Sequence, residues 1–188
     1  MASYVGTRAL ELRKESPEVY YARGTVARAD GDVIAFLRRE AAVAPRRRCR
    51  LCLHASPDAR QQEMLIVMHR DSFVRPHKHA GKDETLLVLE GEALAPIFGE
   101  SGEVIDVLAL GPQGSGRTFF YHMPEGVCHG LVIESEWLVY VETTIGPFRR
   151  DATIFPRWVP DKADVAATSA FQRCTARAIR GWLDHNGT

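Results

Sequence analysis

His77-Lys78-His79-Ala80-Gly81-Lys82-Asp83-Glu84, with Gly91 beyond it, and Pro124-Glu125-Gly126-Val127-Cys128-His129 are the stretches on which the reading of this chain turns. On a β-strand the side chains at i and i+2 point to one face, about 6.5–7 Å apart, so the imidazoles of His77 and His79 can converge on one point. On a helix the same pair would diverge. Ala80-Gly81-Lys82-Asp83 has the composition of a turn, with Gly81 free to take a positive φ, and it delivers Glu84 to the start of the next strand. His129 follows a Pro-x-Gly turn and must come from a separate strand that closes over the other three. Three neutral imidazoles and one carboxylate are a donor set for one divalent transition metal (Fe, Mn, Ni, Co or Zn). An octahedral ion held by four of them keeps two positions open for water or substrate.

Working outward, the chain from Cys49 to Thr144 consists of short β-rich runs separated by Gly, Pro, Asp and Ser clusters, the pattern of an antiparallel sandwich or barrel. Strands are expected over 48–55, 62–69, 72–79, 84–90, 92–98, 103–110, 118–122, 129–134 and 136–144. Upstream, Asp30 precedes an apolar stripe of Val33, Ile34, Phe36, Leu37 and Ala41, which reads as an N-capped helix ending before Pro45. Glu18-Val19-Tyr20-Tyr21-Ala22 reads as a strand added to a sheet edge. Beyond Pro147 the chain is irregular to Pro160, and Asp161 or Asp164 then opens a last helix whose face carries Val165, Phe171, Cys174, Ala178, Ile179 and Trp182. The organisation expected is an N-terminal extension with one helix over 1–47, a β-barrel over 48–146, and an irregular segment and helix over 147–188.

With 188 residues the chain suffices for one domain with a real core. Lys plus Arg equals Asp plus Glu at 24 each, so no broad basic field exists for nucleic acid or anionic lipid, the cluster Arg46-Arg47-Arg48 with Arg50 being the one exception. No apolar run spans a bilayer and the N-terminus does not resemble a signal peptide, so a soluble, cytoplasmic protein is expected. Four scattered cysteines agree with that. Cys49 and Cys52 form a C-x-x-C, but an odd separation on a strand puts them on opposite faces; Cys128 and Cys174 read as buried free thiols.

The two stretches quoted at the outset resemble the paired motifs of the cupins, with P-x-G-x-x-H present unsubstituted. Asp71, Thr118 and Ile133 stand where those motifs usually have Gly, Gly and Asn. The resemblance implies a mainly β fold, a cupin-type antiparallel jelly-roll barrel. A narrower resemblance, to the WbuC family of cupin-fold metalloproteins, is carried by Pro45-Arg46-Arg47-Arg48-Cys49-Arg50-Leu51-Cys52-Leu53-His54, Glu63-Met64-Leu65-Ile66, Val74-Arg75-Pro76-His77-Lys78-His79, Glu142-Thr143-Thr144-Ile145-Gly146-Pro147-Phe148 and Trp158-Val159-Pro160. Members of that family are associated with bacterial O-antigen polysaccharide synthesis, which implies a carbohydrate context without naming a substrate.

Parity along the strand of His77 and His79 puts Phe73 and Arg75 on the same inward face. An inward guanidinium needs an anionic partner, which Glu63, Glu142 or a ligand would supply. Arg48, Arg50, Cys52 and His54 share one face of their strand, turned to solvent or to a cavity mouth. Arg75, Arg50, His54 and Glu63 are therefore the expected substrate-binding residues, with Arg75 and Tyr121 as catalytic candidates. Tyr121 would position a substrate or act as general acid, or serve as a core tyrosine. The expected ligand is a small, anionic, sugar-related molecule. The leading expectation is a metal-dependent isomerase or epimerase, ahead of an Fe(II) dioxygenase and a non-catalytic sugar-binding or regulatory module. A homodimer is expected too, with residues 1–29 and the last helix available to cover sheet edges across a two-fold axis.

Overall fold

The computed structural model describes residues 11–161 and 163–186. Two strands, β1 (Leu12–Ser16) and β2 (Val19–Ala22), precede helix α1 (Gly31–Val43). Nine strands follow: β3 (Arg48–Cys52), β4 (Gln61–His69), β5 (Val74–His79), β6 (Glu84–Glu90), β7 (Ala93–Phe98), β8 (Val104–Leu110), β9 (Phe120–Met123), β10 (Cys128–Ile133) and β11 (Trp137–Ile145). A two-residue strand, β12 (Thr153–Ile154), and helix α2 (Val165–Asn186) complete the described elements. The strands expected from alternation and turn composition are all present to within a few residues.

Pairing makes the barrel a jelly roll. β7 pairs with β8, β6 with β9, β5 with β10 and β4 with β11, all antiparallel, as a long double-stranded ribbon pairs when it is wrapped around an axis. Two facing sheets result, in the orders β1-β2-β3-β4-β11-β6-β9 and β12-β5-β10-β7-β8. The cupin-type barrel is thus the fold of the chain. One pairing departs from the antiparallel rule, β2 running parallel to β3. Gly91 makes the tight turn from β6 to β7 at φ +83°, and a Cβ there would stand 2.1 Å from the Trp137 carbonyl oxygen, so a side chain is excluded by backbone as well as by φ.

Two clusters of buried side chains divide the core. Met64, Ile66, Met68, Leu86, Val88, Leu131, Leu138 and Tyr140 fill the space between the sheets. On the outer face of the larger sheet, Val33, Leu37 and Ala41 of α1 pack on Cys49, Leu51, Leu65, Val67 and Val139. Asp30 caps α1, its carboxylate accepting from the N–H groups of Asp32 and Val33 at 3.1 Å. Cys52 belongs to the first cluster and Cys49 to the second, the opposite faces that their odd spacing demands.

Helix α2 corrects part of the sequence reading. Of the expected face, Phe171 borders a groove against the smaller sheet together with Thr175 and Ala176, and Ile179 is buried, but the covered stripe does not include Val165, Cys174 or Ala178. Val165 is 74% exposed, and Cys174 is an exposed thiol instead of a buried one. The described part of the N-terminal extension is likewise spent within the chain, β2 pairing with β3. No described helix is long and apolar enough to cross a membrane.

Candidate metal centre

Three strands bring four side chains together inside one end of the barrel. His77 lies directly opposite His129 in the β5–β10 ladder, and its ring centroid is 4.7 Å from that of His129 and 4.9 Å from that of His79. One nitrogen from each of the three imidazoles falls within 4.8 Å of the others. Glu84 enters from β6 on the opposite sheet, its Oε2 3.0 Å from His79 Nε2 and its Oε1 2.9 Å from His129 Nε2. His79, Glu84 and His129 are buried.

Backbone carbonyls orient two of the rings. His77 Nδ1 donates to the Arg75 carbonyl at 2.8 Å and His129 Nδ1 to the Val127 carbonyl at 3.0 Å, which leaves Nε2 of each to face the centre. Burial works against a charge on both rings. In His77 it wins, with the neighbouring His129 adding to it, and the pKa falls to about 4. In His129 the hydrogen bond to Glu84 overcomes burial and raises the pKa. Burial opposes the Glu84 carboxylate as well, yet the hydrogen bonds from His129 and His79 hold it well below the usual carboxylate range. Neutral His77 and ionised Glu84 are the protonation states that ligate a metal.

The donor set fits a divalent cation. Buried carboxylate and imidazole groups focused on one point need a positive charge among them, and His79 Nδ1 is buried with no hydrogen-bond partner among the described residues. The His77, His79 and His129 group could hold a metal ion, with Glu84 as the one acidic donor beside it.

The remaining residues singled out from the sequence divide between the cavity and elsewhere. The Arg75 guanidinium lies 4.1 Å over the ring of Phe155, which is itself 6.1 Å from the ring of His77. Among the described residues no ion pair involves Arg75, and neither Glu63 nor Glu142 is its partner. Phe73 is not inward. It packs 6.4 Å from Phe171 of α2 and borders the groove beneath that helix, because the β5–β10 register shifts between His77 and Val74 and breaks the simple alternation.

On β3, Arg50 shares the inner face with Cys52, so the polar face of that strand is turned to the barrel interior; its Nε is buried without a partner. His54, just past the strand, is buried against Tyr21 at 5.7 Å, and its Nδ1 accepts from the Glu63 N–H at 3.0 Å. Burial, with Arg50 nearby, lowers its pKa. Glu63 is the exception. It shares the outer face with Leu65 and accepts from Gln61 Nε2 at 2.7 Å, so it is directed away from the cavity. Tyr121 packs against the core between the sheets, and burial, with Glu84 adding to it, raises its phenol well above the ordinary value. Glu142, which sequence parity left as a partner for Arg75, faces the interior on β11 in the company of Tyr140.

A family model described as a domain of unknown function (DUF6016) matches residues 29–110, which include His77, His79 and Glu84 but stop short of His129. No curated protein matches the chain. Among solved structures, a capsular polysaccharide assembling protein, CapF, from Staphylococcus aureus is 18% identical, with a TM-score of 0.48 over 60% of this chain and 30% of that one. KdgF from Halomonas sp. is 20% identical, with a TM-score of 0.44 over 58% and 86%. A putative sugar phosphate isomerase from Acidithiobacillus ferrooxidans is 18% identical, with a TM-score of 0.38 over 47% and 51%. The chain thus spans about half the length of the last of these and under a third of the first.

Proposed function

We propose that this chain is a cytoplasmic, metal-dependent enzyme that isomerises or epimerises a small anionic sugar derivative, in the polysaccharide setting that its resemblance to the WbuC family implies. The observation that carries the reading is the convergence of His77, His79 and His129 within 4.8 Å, with Glu84 hydrogen-bonded into the group, beside an Arg75 that has no carboxylate partner among the described residues. A divalent ion there supplies Lewis acidity toward a carbonyl or vicinal hydroxyls. The first shell, with three neutral imidazoles and one carboxylate, then carries about one net positive charge. Arg75 adds another and grips a carboxylate or phosphate through its planar fork. Arg50 extends the positive field into the barrel interior. Tyr121, kept protonated by burial, donates a hydrogen bond to the bound ligand. The free thiols suit a reducing compartment.

Metal analysis of purified protein, followed by NMR of neutral and acidic sugars incubated with the loaded protein in D2O, tests this. The expected result is exchange of a carbon-bound hydrogen of an acidic sugar without oxygen uptake. Oxygen consumption with Fe(II) would instead make it a dioxygenase, and binding without exchange or oxygen uptake a non-catalytic module.

The homodimer rests on a different surface from the one first expected. β9 is an edge strand, and Phe120, its first residue, and Phe119 just before it are 52% and 43% exposed, an apolar edge for a second copy to cover. Light scattering at micromolar concentration should give twice the monomer mass; a monomer ends the proposal.

A further inference from the structure

Strand β11 is buried on both faces, and its side chains alternate without interruption. Leu138 and Tyr140 enter the core between the sheets, whereas Val139 and Val141 belong to the cluster under α1. Glu142, two residues past Tyr140, therefore faces the interior. Its register is set on both sides, Met64 of β4 lying opposite it on one and Leu86 of β6 on the other. Leu86 in turn lies opposite Tyr121 of β9. The next inward row along the same strands holds Thr144 opposite Glu84, so Glu142 is the diagonal neighbour of a residue of the metal centre, about 7–8 Å away by the geometry of such pairs.

The polar groups around Glu142 are already engaged. Thr144 donates its hydroxyl to the Asp83 carbonyl at 2.7 Å, and Tyr140 donates to Met68 Sδ at 3.3 Å. Neither the Glu142 carboxyl nor the Tyr121 hydroxyl has a hydrogen-bond partner among the described residues, although Glu142 is half-buried. Its carboxyl oxygens are not closed off from solvent, which leaves them open to a ligand that enters the cavity. Burial, and after it the charge of Glu84, raises its pKa against the opposing influence of Arg50. A carboxylate as a second anion holder is excluded by its sign. An inward carboxyl is able to hydrogen-bond the hydroxyl groups of a ligand.

We propose that Glu142 is the specificity-determining residue of the cavity, forming hydrogen bonds to the hydroxyl groups of a polyhydroxylated ligand whose anionic end is held at Arg75 and the metal centre. The proposal rests on the reading of the cavity as a site for acidic sugars, and it assigns the ligand's second point of recognition. The metal and Arg75 select the charge, and Glu142 selects polyols from among the anions.

The test is calorimetric titration of the zinc-loaded protein with two probes of one shape. Glucuronate and cyclohexanecarboxylate share a six-membered ring and a carboxylate, but only the first carries hydroxyls. Wild type should bind glucuronate more tightly. Glu142→Leu should weaken glucuronate about 10–100-fold, the range for a hydrogen bond to a charged group, and change cyclohexanecarboxylate less than about threefold. Glu142→Gln, which keeps the shape and part of the hydrogen bonding, should fall between, and zinc content should stay at the wild-type level in both variants. Unchanged glucuronate affinity in Glu142→Leu, or an equal loss for both probes, overturns the assignment. So does loss of zinc from Glu142→Gln, which would make the residue part of the metal centre. If wild type binds cyclohexanecarboxylate as tightly as glucuronate, Glu142 has no such role while the anion site stands. If it binds neither probe, the acidic-sugar reading falls and this proposal with it.

Discussion

Replacing His77 and His79 together by alanine is expected to abolish metal binding, taking a protein that carries close to one equivalent of a first-row divalent ion to none. Both rings stand on β5, and the substitution leaves His129 and Glu84 alone, two donors where a tight site needs three or four. A ligand bound only by the native state stabilises it by mass action, by about 2.7–4.1 kcal/mol when free metal exceeds Kd by 100–1,000-fold. For a chain of this length each kcal/mol is worth about 2–4 °C in Tm, so the double variant should melt roughly 5–15 °C below the loaded wild type. Wild type stripped by a chelator should show a similar loss. Folding itself should survive, because the clusters between the sheets and under α1 contain no metal ligand. Elemental analysis and thermal melts read both effects, and a double variant with unchanged metal content would sink the site.

Arg75→Lys should cost the cavity its preference for anions while leaving its charge intact. The guanidinium lies over the ring of Phe155, close to His77, and answers to no carboxylate among the described residues. A planar fork held in that way offers two parallel donors to a carboxylate or phosphate, a geometry that a flexible ammonium cannot reproduce. The expected loss is about 10–100-fold for glucuronate or glucose 6-phosphate, from the value of a charge-assisted hydrogen bond. Glucose should change by less than about threefold, since its contacts do not depend on the fork. Titration calorimetry of the two proteins with neutral and anionic sugars decides the matter, and equal affinities in all four combinations would remove Arg75 from the site.

Several features of the molecule were readable before any coordinate because the signals that specify them are local. The His-x-His pair, the turn carrying Gly81 at φ +71° and the Pro-x-Gly turn carrying Gly126 at φ +76° are each complete within a few residues. The same holds for the Asp30 cap and for strands such as Glu84–Glu90, where one face is buried and the other is not. Sheet pairing then had little freedom, since turns at these spacings and a single inward metal donor set leave few ways to bring His129 to His77.

Parity failed where a strand has no polar face. Met64-Leu65-Ile66-Val67-Met68 is apolar throughout because α1 covers one side of β4 and the opposite sheet covers the other, so nothing in the run tells which way Glu63 points. β11 poses the same difficulty over Leu138-Val139-Tyr140-Val141, and there it conceals Glu142, the most informative residue that the sequence reading left in a minor role. The register shift between His77 and Val74 is a third case, turning Phe73 toward α2 by a displacement that involves β10.

Sequence by itself therefore determined most of the elements, an antiparallel barrel or sandwich and the four residues of the candidate metal centre, since hydrophobic period, turn chemistry and donor spacing are written along the chain, while the jelly-roll class was implied by the resemblance to the cupins. Tertiary structure alone decided which face each doubly buried strand presents, which stripe of α2 is covered, and which charged side chains reach the cavity unpaired. The physical reason is that a side chain's partner across a sheet is selected by register and by what packs on the far side, and both depend on residues distant in the chain.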